Sequence, residues 1–258
     1  MHVQIETDSL ERIPISVITV CFNAESLIES TLNSIISQKG EFEYIIIDGD
    51  STDGTLEILK KYSNQIDITV SEQDLGIYDA MNKGLRLATK KYVLFINAGD
   101  QLVDESTLLK LSEFMQESDI IYGETLLVNS HGDVLGTRSQ LTTRPLPKSL
   151  QKKSFLNGQP VSHQSFIVKK ELVADFNLKY RCSSDIDWMI RAISNAEIVT
   201  NAKFPISKYL LGGESDKKLR LCWIERFQIL LKYYDLLSVL GAHIKFAIRF
   251  IRFGSYKQ

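Results

Sequence analysis

Cysteine is scarce: the 258-residue chain has Cys21, Cys182 and Cys222 only, an odd number spread far apart. That argues against a disulfide framework or a zinc site and favours a reducing compartment. Long apolar runs are also missing. No stretch of about 18 uninterrupted apolar residues occurs, so no transmembrane helix is expected. The opening segment MHVQIETDSLERIP is polar and acidic, without the apolar centre of a signal peptide. There is no excess of one charge either. A formal net charge of -2, with 24% charged and 44% hydrophobic residues, describes a globular chain rather than a disordered or nucleic-acid-coating one. Internal repeats and low-complexity runs are absent. The one local imbalance is at the end, where no acid follows Asp235 but Lys245, Arg249, Arg252 and Lys257 do.

What is present is an alternation. ISVITV (15–20), YIIID (44–48), IDITV (66–70) and YVLFI (92–96) read as strands. Between them, 26–38, 55–62 and 77–88 carry apolar residues at helical spacing, the second helix following a Ser/Thr/Asp cluster suited to capping. This β-α-β-α-β-α-β order predicts an α/β fold with a parallel sheet and helices on both faces. Ligands of such sheets sit at the carboxyl ends of the strands. Asn23, Asp48 to Asp53, Asp74 and Asp100 all lie there. Beyond about 118 the texture changes. DIIYGETLLVNSHGDVLGT reads as two or three short strands around an Asn/Ser/His/Gly turn. Residues 142–160 read as loop, HQSFIVKK as a strand, Ser184 as a helix start and 215–253 as helical.

VITVCFNAE, IIIDGDSTDGT, DLGIYDAMNKG and LFINAGD, in that order over residues 15–100, together with a weaker match over 163–191, resemble the family 2 glycosyltransferases of GT-A fold. The form N-A-G-D with Y-D-A-M-N-K-G upstream is most similar to the members found in capsule, O-antigen and colanic-acid biosynthesis. The resemblance implies a GT-A domain over 14–214, with a nucleotide-binding half (14–101) and an acceptor half (102–214). An N-terminal extension (1–13) and a basic amphipathic C-terminal helical region (215–258) flank it.

It also implies site residues. Thr19, Phe22, Asn23 and Glu25 would hold the nucleoside, with Phe22 standing where tyrosine is frequent. Asp48 would read the base, with Ser51 and Asp53 beside it; Asp48 to Ser51 also reads as a turn and helix cap. Asp74, Asp79, Asn82 and Lys83 would lie near ribose and sugar, although Lys83 also suits a solvated helix face. In the family's L-D-S-D-D turn, carboxylates hold Mg2+ or Mn2+ against the diphosphate. Here Asn97 and Gly99 replace two acids, leaving Asp100 as the metal carboxylate with the Asn97 amide beside it. The family's general base lies in an E-D-x-D segment. SSDIDWMIRA matches it with Ser for Glu, which puts Asp185 at the base position. His163, Gln164, Asp187 and Trp188 would face the acceptor.

The implied reaction is inverting transfer of a hexose or N-acetylhexosamine from a nucleotide-diphosphate sugar, a UDP-sugar first, to a lipid-linked saccharide. Two readings compete. A non-catalytic nucleotide-binding GT-A-like protein is supported by the reduced acid count at 97–100 and opposed by Asp185. A nucleotidyltransferase needs a glycine-rich basic loop after the first strand, which VCFNAESL lacks. In HIKFAIRFIRF, Lys245, Arg249 and Arg252 accompany Ile244, Ala247, Ile248 and Ile251, with Phe246, Phe250 and Phe253 between them. This suits an anionic membrane surface and a cytoplasmic protein held peripherally at the inner face. Packing on the catalytic domain, or on another copy in a homo-oligomer, is the alternative. No nucleic-acid partner is expected.

Overall fold

The structure is a computed structural model that describes residues 11–212 and 219–253, without the side chains of Leu219 and 249–253. Expectations for 1–10, for 213–218 and for Lys257 lie outside the described residues. So do those for the side chains of Arg249, Phe250, Ile251, Arg252 and Phe253.

Four strands of the first half, β1 (Arg12–Cys21), β2 (Glu41–Asp48), β3 (Ile68–Ser71) and β4 (Tyr92–Phe95), pair in parallel in the order β3-β2-β1-β4. β1 is apolar along most of its length because both of its faces are covered. Ile13, Ile15 and Val17 pack with Ile28, Leu32 and Ile35 of α1 (Ile28–Ile36), whereas Ile18 and Val20 pack with Tyr78, Met81 and Leu85 of α3 (Ile77–Leu87). The helix α2 (Thr55–Lys61) lies on the α1 side. α3 approaches the sheet closely because residue 84 is glycine: a Cβ there would clash with the Ile18 side chain.

The second half continues the same sheet. A two-residue strand β5 (Gln101–Leu102) and α4 (Thr107–Ser112) lead into β6 (Ile120–Val128) and β7 (Val134–Thr137), where two or three short strands were expected; there are two, the first of them nine residues long. Next come α5 (Arg138–Leu141), a 3-10 turn inside the expected loop (Lys152–Asn157), β8 (Phe166–Lys169) and α6 (Ser184–Asn195). The last strand is β9 (Val199–Leu210). The full order is β3-β2-β1-β4-β8-β6-β9-β5, with β7 on β6. β8 is antiparallel to both β4 and β6, so the sheet is parallel in its first half and mixed beyond it.

β9 escaped the sequence reading. VTNAKFPISKYL carries a proline and Lys203 at φ 63°, and its pairing with β6 shifts register around Glu124, which breaks any alternation of polar and apolar positions.

Two helices close the described chain, α7 (Leu219–Tyr233) and α8 (Leu236–Phe253). Val239, Ala242 and Phe246 of α8 are buried, while Leu237, Leu240, Ile244 and Ile248 are exposed. At about 100° per residue these are opposite faces, so α8 packs on the protein and still presents an apolar stripe outward. Among the described residues no helix is long and apolar enough to cross a membrane.

Candidate active site

β1 and β2 end side by side, with Cys21 opposite Asp48. Both chains then turn through left-handed backbone, Asn23 at φ 47° and Asp50 at φ 67°, a conformation that short polar side chains tolerate. The two turns are joined by hydrogen bonds. Asn23 N–H donates to Ser51 Oγ (2.8 Å), Thr52 N–H to Asn23 Oδ1 (2.9 Å), Glu25 N–H to Asp53 Oδ2 (3.1 Å) and Gly54 N–H to Glu25 Oε2 (3.2 Å). Asp48 sits beneath, fully buried. Its Oδ2 accepts from Ser71 Oγ (2.7 Å) and Ser51 N–H (3.0 Å), and its Oδ1 accepts from Ser51 Oγ (2.5 Å). Asp48 is thus the floor beneath the turn, with its oxygens engaged inside the protein. It does not present a free edge to a base.

At this strand end the exposed Phe22 ring and the Asp74 carboxylate close on the buried Gly49 and form the walls of a candidate slot. A Cβ at Gly49 would lie 2.5 Å from Asp74 Oδ2 and 3.4 Å from the Phe22 ring, so only glycine lets that carboxylate pack against the backbone here. Asp74 is oriented by accepting from Gly76 N–H at 2.7 Å through its other oxygen, and Asp79 accepts from Leu75 N–H at 3.1 Å. Lys83 turns to this loop as well. It donates to Gln73 O (2.7 Å) and pairs with Glu72 (2.8 Å), so it clasps the loop rather than reaching toward phosphates.

The turn after β4 is bent by Gly99 at φ +97°. Asp100 is buried, its Oδ2 accepting from Gln164 Nε2 (2.7 Å) and its Oδ1 from Leu210 N–H (3.2 Å). Burial pushes its carboxyl up to about 6, against the opposing pull of Gln164 and His163. Asn97 Nδ2 donates to His163 Nε2 at 3.2 Å, while Asn97 Oδ1 is buried without a hydrogen-bond partner. Among the described residues no group of three His, Cys, Asp or Glu side chains is placed to hold a metal ion. What the turn offers is one orphaned amide oxygen and one carboxylate. That suits a cation taking most of its ligands from a diphosphate and water, and not a site that holds metal alone.

Asp185 opens α6 and receives donors from three segments. Tyr78 OH donates to Oδ1 (3.1 Å), Gln159 Nε2 donates to Oδ2 (2.9 Å), and His163 Nδ1 lies 3.4 Å from Oδ2. The His163 ring thus bridges the two groups, with Nε2 toward Asn97 and Nδ1 toward Asp185. Burial would raise this carboxyl, but His163, Tyr78 and Gln159 outweigh it and hold it below the usual carboxylate range. Tyr78 and Gln159 were absent from the sequence expectation. One lies inside the matched Y-D-A-M-N-K-G segment; the other stands in the loop, held there by Arg138, which donates to Gln159 O at 2.6 Å.

Four expected ligands belong to the scaffold instead. Thr19 is buried in the sheet, its hydroxyl 3.1 Å from Tyr44 OH. Asn82 is buried with its amide bonded to the Phe176 backbone in both directions. Trp188 is core: it stacks on Phe176 at 4.8 Å and meets Phe95 and Phe166 edge-on. Asp187 is buried and pairs with Arg191 (3.0 Å) and Lys232 (2.7 Å). Trp188 and Asp187 follow Asp185 in sequence, but a helix sends successive side chains about 100° apart, and here these two point inward.

A parallel half, a mixed half continuing the same sheet, and helices around both make up a GT-A fold. The chain belongs to glycosyl transferase family 2, whose model matches residues 16–176. It is 32% identical over 195 residues to a Mycobacterium bovis PGL/p-HBAD biosynthesis glycosyltransferase, covering 72% of each chain. Among solved structures it resembles residues 1–349 of Staphylococcus aureus TarS in complex with UDP-GlcNAc. There the TM-score is 0.64 and the identity 20%, covering 90% of this chain and 73% of that one. It also resembles the Pyrobaculum calidifontis mannosyltransferase PcManGT in complex with GDP-Man and Mn2+, with a TM-score of 0.61 and 17% identity, covering 92% and 70%.

Proposed function

We propose that the protein is an inverting glycosyltransferase that moves a hexose or N-acetylhexosamine from a UDP-sugar to a lipid-linked saccharide acceptor in cell-surface polysaccharide assembly. The observation that carries this reading is the setting of Asp185, an ionised carboxylate kept low by three neighbours where the two halves of the sheet meet. The donor class is supported by the Phe22–Gly49–Asp74 slot, which offers a stacking face and an acceptor for a base N–H, and by the UDP-GlcNAc complex of TarS. The surface-polymer context is supported by the names of relatives, which include a putative teichuronic acid biosynthesis glycosyltransferase of Bacillus subtilis.

In this mechanism Asp185 takes the proton of the acceptor hydroxyl as its oxygen attacks the anomeric carbon. The new C–O bond forms opposite the leaving group. The old bond to the diphosphate oxygen breaks with its electron pair going to the nucleoside diphosphate, so the anomeric configuration inverts. A divalent cation, when bound with the donor, would be held by Asn97 and Asp100 and would neutralise the leaving diphosphate. The location that goes with this function is the inner face of the cytoplasmic membrane, supported by the outward apolar stripe of α8 with Lys245 exposed beside it.

The test is Asp185→Asn. Turnover should fall about 10²–10⁴-fold while calorimetric UDP affinity is retained. Turnover kept near the wild-type level in a folded variant would reject Asp185 as the base. A product of retained anomeric configuration would reject the inverting mechanism.

A further inference from the structure

The helix that carries Asp185 has no cap from its own N-terminal residue, Ser183. The amides leading into it are held from far along the chain. Glu225 of α7, itself buried, accepts from Arg181 N–H through Oε1 at 2.7 Å. Its Oε2 accepts from Cys182 and Ser183 N–H at 2.8 and 3.0 Å. One carboxyl group bonded to three successive amides at the start of α6 is a strong, directional restraint. The same α7 holds α6 again within the next turn. Lys232 Nζ and Tyr233 OH donate to Asp187 Oδ1 at 2.7 and 2.8 Å, and Ser183 Oγ donates to Cys222 O at 3.4 Å.

We propose that Glu225 is a positioning residue for the transfer reaction, fixing the backbone at 181–183 so that Asp185 meets the acceptor hydroxyl. The proposal rests on the reading of Asp185 as general base. The donor slot is built from the ends of β1, β2 and β3, so displacement of the base acts on turnover and leaves donor affinity alone. A shift of about 1 Å in a catalytic group lowers a rate by as much as 10²-fold. A glutamate that merely glued α7 to the domain would alter melting temperature without selecting between these two parameters.

The experiment compares the full chain with E225A, E225Q and D185N. It measures turnover at saturating donor, UDP affinity by calorimetry, melting temperature, and hydrogen exchange at amides 181–183. E225A should lower turnover about 10-fold or more with UDP affinity held within about twofold, and E225Q, which keeps one acceptor oxygen, should fall between. In the wild type the three amides should exchange as slowly as the interior of α6. E225A turnover within about twofold of wild type per folded molecule would overturn the proposal. So would turnover and UDP affinity falling together, or fast exchange of these amides in the wild type, a result that can be read even if neither variant folds. D185N separates the two assignments. Turnover retained there removes the base itself, whereas an inactive D185N beside a fully active E225A removes only Glu225.

Discussion

His163 and Asp185 stand 3.4 Å apart, Nδ1 to Oδ2, and this pairing is the largest influence opposing the effect of burial on the Asp185 carboxyl. His163→Ala leaves that burial less opposed, so the carboxyl must rise. The acid limb of kcat/KM, which reports the free enzyme's base, should move to higher pH while the alkaline plateau is less affected. The sign for stability follows from linkage. A carboxyl lowered in the folded state contributes stability above the ordinary carboxylate range, and that contribution is lost as pH falls through the lowered value. The melting temperatures of wild type and His163→Ala should therefore converge on acidification. An acid limb that does not move would separate His163 from the base.

The donor slot is tested at Gly49. Gly49→Ala introduces a methyl 2.5 Å from Asp74 Oδ2 and 3.4 Å from the Phe22 ring, which displaces the carboxylate assigned to the nucleotide base. UDP affinity should drop about 10-fold or more, a loss of about 1.4 kcal/mol, with little change in melting temperature because the carboxylate can swing aside. Phe22→Ala should weaken UDP by about 1–3 kcal/mol through lost base stacking. Calorimetry showing unchanged UDP affinity in both variants would empty the slot of its role.

Much of this was legible in the sequence because strand ends and turns announce themselves locally. Asp74 and Asn97 follow strand ends, Asp185 opens a helix, and Phe22 and Asn23 are exposed in the turn after β1, all positions that the order of strands and helices marks. The failures share one cause. Motif membership does not say which way a side chain points, so Asn82, Asp187 and Trp188 read as ligands although Asn82 and Trp188 pack the Phe176 segment against α3 and α6 and Asp187 ties α6 to α7. Gln159 and Glu225 failed in the opposite direction. Each reaches the site from a segment remote in sequence, 26 and 42–44 residues from its partners, and no local pattern marks such a contact. β9 was hidden by its own proline and by the register shifts of its partner strand.

Divalent cation should matter to the donor more than to the empty protein. Excess chelator should weaken nucleoside-diphosphate binding and transfer, and Mn2+ should restore both. Asn97→Ala should reduce the Mn2+ response with the fold intact, because its Oδ1 bonds to nothing else in the protein. Asp100→Ala should do more damage. It leaves Gln164 Nε2 and Leu210 N–H without their acceptor, at about 1–3 kcal/mol for each buried donor left unsatisfied. Melting temperature and Mn2+-dependent binding measured on one preparation distinguish the two effects. Full activity in excess chelator would reject the cation and leave Asn97 and Asp100 as shape alone.

The C-terminal helix divides its faces between protein and surroundings. Val239, Ala242 and Phe246 are buried and His243 meets Phe227 edge-on at 4.9 Å, whereas Leu237 is 81% exposed and Ile244 62%. Hydrophobic burial is worth roughly 25 cal/mol per Å², so an outward stripe of this kind gains by entering a lipid interface, and flanking cations strengthen the attraction to anionic head groups. The chain should co-sediment with vesicles containing phosphatidylglycerol, less so at high salt, and Leu237→Glu with Ile244→Glu should abolish the binding. Transfer to a water-soluble acceptor should be unaffected by the pair, because neither side chain approaches Asp185 through the contacts described above. If the wild type ignores such vesicles, or if the double variant instead converts an oligomer into monomers in sedimentation, the stripe is a protein interface and the membrane assignment fails.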